Sequence, residues 1–93
     1  LELDPQLSLA YYYRGRSYRN LDQYSEAIAD FTKALELDPQ LSLAYYYRGR
    51  SYQSLDEYTK AIGDFQAVMQ TSTDETLIEL ARVQLEALGA GAQ

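Results

Sequence analysis

Residues 1–18 recur without change at residues 35–52, so the chain has an internal period of 34 residues. The remainder of the unit has drifted: residues 19–34 share with 53–68 only Leu21, Asp22, Tyr24, Ala27, Ile28, Asp30 and Phe31, which brings the agreement to 25 of 34 positions. A unit this short cannot bury an apolar face by itself, so copies must stack on one another to build a core. The positions retained in the drifted half are mostly packing residues.

Asp4-Pro5 and Asp38-Pro39 each put a capping side chain ahead of a proline suited to the first helical turn. The pattern predicts a leading helix (A) in each unit, at about 6–20 and 40–54, and a second helix (B) at about 23–37 and 57–70, the latter marked by Ala27, Ile28, Phe31, Ala34 and Leu35. Leu21-Asp22 and Leu55-Asp56 supply the turns, with Asp22 and Asp56 expected to cap the B helices. Beyond Met69 the repeat decays. Ser72-x-x-Glu75 reads as a capping box for a fifth helix lined by Leu77, Leu80, Ala81, Val83, Leu85 and Leu88 and ended by Gly89-Ala90-Gly91.

Within one unit the spaced residues are Tyr11, Arg14, Gly15, Tyr18, Ala27, Phe31 and Pro39, and the second unit repeats them as Tyr45, Arg48, Gly49, Tyr52, Ala61 and Phe65. This pattern, over roughly residues 1–70, resembles the tetratricopeptide repeat (TPR). Tyr stands where that family often has Trp, and Arg14 and Arg48 stand where it usually has Leu. The resemblance implies an all-α, right-handed α-solenoid of two helix-turn-helix repeats with a C-terminal capping helix. Residues 1–7 would be the remnant of a preceding repeat, 8–41 the first repeat, 42–72 the second, and 73–93 the cap and tail of a single domain. A chain that starts in mid-repeat and carries an eighteen-residue identity reads as a fragment of a longer array or as the product of recent duplication or engineering.

Composition narrows the chemistry. The chain has neither His nor Cys, which removes the imidazole base, the thiol nucleophile and the ordinary zinc site, and no glycine-rich phosphate loop or nucleophile-base grouping replaces them. No enzyme activity, cofactor or metal is expected. No apolar run approaches the length that crosses a bilayer, and no signal peptide is visible, so a cytoplasmic location is expected. A net charge of -6 argues against nucleic acid and anionic membranes as partners. The positive charge is nevertheless concentrated, since Arg14, Arg16, Arg19, Arg48 and Arg50 all lie on the A helices.

Gly15 should admit the B helix at close range, and Arg14, which faces that helix, needs a partner. Asp30 is the expected one, with Arg48 and Asp64 repeating the pair at the same separation. The opposite A-helix face carries Tyr12, Tyr13, Arg16 and Arg19 in the first copy and Tyr46, Tyr47 and Arg50 in the second. The resemblance implies that A helices line a concave groove, so these seven are the expected contacts for a protein or peptide, acidic or aromatic in character. Some relatives clamp a terminal carboxylate there with Lys and Asn, but this sequence offers Tyr and Arg there instead, so that specificity is not carried over. For Tyr12 and Tyr46, packing between neighbouring A helices is an equal alternative. A second expectation is self-association, as a dimer or array, through Leu1, Leu3, Leu7 and the first A helix, which no earlier B helix covers.

Overall fold

In a computed structural model, which describes residues 5–89, the chain forms α1 (Pro5–Asn20), α2 (Tyr24–Leu37), α3 (Ser42–Ser54), α4 (Tyr58–Thr71) and α5 (Glu75–Ala87). α1 pairs with α2 and α3 with α4, α2 also lies against α3, and α5 packs on α4. Hairpins set side by side make the molecule elongated, with extents of 42 × 28 × 19 Å. The fold is all-α helical repeat, as the sequence implied. Among the described residues no helix is long and apolar enough to cross a membrane.

The recurring apolar positions assemble one core per repeat. Tyr12, Ala27, Phe31, Ala34, Leu35 and Ala44 form the first, and Tyr46, Ala61, Phe65, Val68, Leu77, Ala81 and Leu85 the second. Tyr45 and Tyr47 pack against both and join them. The close approach expected at the glycines is present. A Cβ on Gly15 would stand 2.8 Å from Phe31 Cε1, and one on Gly49 would stand 2.9 Å from Phe65 Cε1. Both phenylalanines are fully buried, so the missing side chain is what lets the B helix settle on the A helix.

Local signals proved less decisive than periodicity. Asp22 and Asp56 are not helix caps: α2 and α4 start behind Gln23 and Glu57, which make no side-chain cap bond. Each aspartate instead occupies the left-handed region, φ 60° and 61°, at the end of the preceding helix. There the Gln23 N–H donates to Tyr18 O and the Asp22 N–H to Arg19 O, with Glu57 to Tyr52 and Asp56 to Gln53 repeating the pattern. This pair of bonds is the Schellman closure, usually built on glycine. The Asp22 and Asp56 carboxylates accept from the hydroxyls of Tyr24 and Tyr58 at 2.9 and 2.7 Å.

Asp38 likewise caps a turn and not α3. Its carboxylate accepts from the Gln40 N–H at 3.1 Å, its carbonyl accepts from the Leu41 N–H, and α3 begins two residues after the expected start. Asp4 lies outside the described residues. At α5 the cap is Asp74, which accepts from the Thr76 N–H at 2.9 Å, while Ser72 accepts from the Asp74 N–H one step earlier. Gly89, at φ 80°, closes α5; Ala90 and Gly91 lie outside the described residues.

Candidate functional site

Two arginine-carboxylate pairs tie each A helix to its B helix. Arg14 donates through Nε and Nη2 to the Asp30 carboxylate at 2.7 and 2.8 Å, and Arg48 does the same to Asp64 at 2.8 and 2.7 Å. These are the expected bidentate pairs. The two differ in their surroundings, because the Arg14 side chain is 60% exposed and the Arg48 side chain only 19%. Burial lifts the Asp64 carboxyl above its ordinary range, although the Arg48 hydrogen bonds and charge pull it down. Burial also works against the Arg48 charge, but Asp64 outweighs it and the guanidinium holds its proton more tightly than usual. Arg48 has a further acceptor that the sequence did not suggest, Thr32 Oγ1 on α2 at 3.1 Å.

The opposite face of α1 and α3 holds the seven expected contact residues in two layers. Tyr12 and Tyr46 are 2% and 6% exposed. Their rings pack on Phe31 and Phe65 of the B helices, with centroids 6.0 and 5.7 Å apart, and Tyr12 also meets Tyr47 of the neighbouring A helix at 6.2 Å, so neither ring offers a surface to a ligand. The helical spacing that groups them with Tyr13, Arg16 and Arg50 also aims them inward between neighbouring elements. Above this floor lie Tyr13, exposed and edge-on to Tyr12, and half-buried Tyr47, which touches Tyr12, Phe31 and Tyr46.

The arginines complete the outer layer. Arg16 and Arg19 both stand over the Tyr47 ring, with guanidinium carbons 4.6 and 5.4 Å from its centroid, and Arg50 donates to the Tyr46 hydroxyl at 3.2 Å. Such cation-aromatic contacts hold the stems in place and leave the charge uncancelled. Among the described residues Arg14, Arg48, Arg82, Lys33 and Lys60 each pair with a carboxylate, whereas Arg16, Arg19 and Arg50 have none. Two polar atoms within the cluster are buried without a hydrogen-bond partner, the Tyr12 hydroxyl and Arg19 Nε. Burial raises the Tyr12 phenol above its ordinary pKa, against the nearby Arg16 charge.

One contributor escaped sequence reasoning altogether. Gln84 of α5 accepts from the Gln53 side chain at 2.9 Å, which fixes the end of α3 against the last helix. Nothing in the repeat pattern marks that contact, since α5 lies where the repeat has decayed.

Family comparison agrees with the geometry. Two tetratricopeptide repeat models match the sequence, one at residues 8–41 and the other at 31–63. Comparison with curated proteins finds no match. Repeats of this type are non-catalytic scaffolds that mediate contacts between proteins. With twin helical hairpins, glycine-phenylalanine contacts at matching places and two matches spanning residues 8–63, the chain belongs to the tetratricopeptide repeat family.

Proposed function

We propose that this chain binds an acidic peptide segment along the shared face of α1 and α3, with Tyr13, Arg16, Arg19, Tyr47 and Arg50 as the contact layer over a floor of Tyr12 and Tyr46. The observation that carries the reading is the distribution of unpaired charge: in a chain of net charge -6, the three arginines without a carboxylate partner among the described residues all lie on this one face. A peptide carboxylate arriving there finds guanidinium groups already oriented by aromatic rings, so little side-chain freedom is lost on binding. Tyr and Arg together also make up the composition enriched at interaction hot spots.

Fluorescence anisotropy with a labelled peptide of alternating Glu and Phe tests this. Binding should weaken roughly tenfold or more in Arg16→Ser plus Arg50→Ser, and should fall steeply as salt is raised. A lysine-rich peptide of equal length should not bind. Affinity for the acidic peptide that survives both the double substitution and high salt would sink the proposal. Tyr46 is unsuited to such a test because its burial makes truncation a folding defect.

A further inference from the structure

The arginine-bearing face of α1 and α3 is not uniform along its length. Arg16 and Arg19, one turn apart on α1, both stand over the Tyr47 ring of α3, with guanidinium carbons 4.6 and 5.4 Å from its centroid. Two cations thus converge on a single aromatic ring, and neither has a carboxylate partner among the described residues. Arg19 Nε is buried without an acceptor, as is the Tyr12 hydroxyl beneath.

One period later the corresponding places are satisfied. Arg50, the twin of Arg16, donates to the Tyr46 hydroxyl at 3.2 Å. Gln53 stands in the place of Arg19 and donates to Gln84 of α5 at 2.9 Å, while Ala81 takes the place of Tyr47. The second copy therefore carries one cation, held by a hydrogen bond. The first carries two, with an acceptor missing.

We propose that Arg16 and Arg19, backed by Tyr47, form a subsite for a phosphorylated side chain, so that the acidic peptide bound on this face is a phosphopeptide. The proposal rests on the acidic-peptide reading and names the group that its first half selects. A Glu or Asp carboxylate brings one negative charge and two oxygens, enough for one guanidinium fork. A phosphate monoester brings about -1.5 to -2 charges at pH 7 and three acceptor oxygens, enough to engage both forks together. Arginine suits this task better than lysine, because its planar group can lie on Tyr47 and still direct parallel N–H groups at the anion.

Three peptides of one length, titrated into the intact chain by fluorescence anisotropy, test this: the peptide of alternating Glu and Phe, the same peptide with one middle Glu replaced by phosphoserine, and the same with one middle Phe replaced by phosphotyrosine. At least one phosphopeptide should bind roughly tenfold or more tightly than the parent. Arg19→Gln, which installs the residue present at position 53, should cut that ratio to about twofold or less. Arg50→Ser should weaken all three peptides and preserve the ratio. A phosphorus NMR titration of the bound phosphopeptide reads the same contact without any substitution, and the second ionisation of the phosphate should move down by about half a pH unit or more. A parent that binds while neither phosphopeptide improves on it, a gain that survives Arg19→Gln, or an unmoved phosphate titration would overturn the subsite and leave the acidic-peptide reading standing. A phosphopeptide that binds through Arg19 while the parent does not bind would do the reverse. Inorganic phosphate competing as strongly as the phosphopeptides would also overturn the proposal, because the peptide would then contribute nothing.

Discussion

Gly49 and Phe65 meet so closely that a Cβ on the glycine would lie 2.9 Å from the ring's Cε1 and 3.2 Å from the Cβ of Asp64. Phe65 is fully buried and has nowhere to retreat. Gly49→Ala should therefore destabilise by about 1–3 kcal/mol through overpacking. Gly63 supplies the contrast: it lies in the exposed interior of α4, where an added Cβ would meet nothing within 4 Å, at the place Ala29 fills in the first repeat. Gly63→Ala should stabilise by about 0.5–1 kcal/mol. Urea denaturation of the two variants, read at constant m-value, checks the opposite signs.

The Arg48–Asp64 pair should behave as a unit. Replacing Asp64 by Ala leaves a guanidinium that is mostly covered, and should cost about 2–4 kcal/mol. Arg48→Met combined with Asp64→Leu should recover most of that loss, because both desolvation penalties disappear together. Thermal unfolding of the single and double variants measures the coupling. Asp30→Ala should cost less than Asp64→Ala, since Arg14 can turn its charge to water.

How far the sequence spoke depended on the kind of signal. Periodicity and small-residue spacing brought the B helix close to Gly15 and paired Arg14 with Asp30, because residues three and four apart share one face of a helix and so face the same neighbour. Turn chemistry at Asp22, Asp38 and Ser72 was misleading. An aspartate can cap a helix start or occupy a left-handed turn, and only the path of the chain on both sides decides which. The sequence grouped Tyr12 and Tyr13 on one face of α1, but could not separate the two layers of that face: the two are adjacent in sequence, yet one is 2% exposed and the other 58%. That difference arises from α2 and α3 closing over Tyr12.

Tyr12 provides a pH test. Its folded-state pKa lies above the ordinary phenol value, so its contribution to stability is complete below about pH 10 and is lost as pH rises through the folded value. Spectrophotometric titration should show late-ionising phenols, Tyr12 and Tyr58 among them, the latter raised by its hydrogen bond to Asp56. Tyr12→Phe should remove one late phenol. Because the hydroxyl is buried without a partner, the same substitution should leave stability unchanged or raise it by up to about 1 kcal/mol.

Asp56 offers a backbone test. Its left-handed φ of 61° is tolerable for Asp and Gly and unfavourable for Ala. Asp56→Ala should destabilise by about 1 kcal/mol or more, through backbone strain and the lost Tyr58 bond, whereas Asp56→Gly should recover the backbone part. Calorimetric midpoints for both variants separate the two contributions.

The duplicated segment starts its helix at Pro5 in the first copy and at Ser42 in the second. Eleven consecutive residues, 8–18 and 42–52, then share sequence and helical backbone while differing in what lies against them. Each therefore has a chemical twin in the same tube, at the same concentration and temperature. Any difference in exchange rate, relaxation or reactivity between the members of a pair, Ala10 against Ala44 or Arg14 against Arg48, reports neighbours alone, so the molecule carries its own reference state.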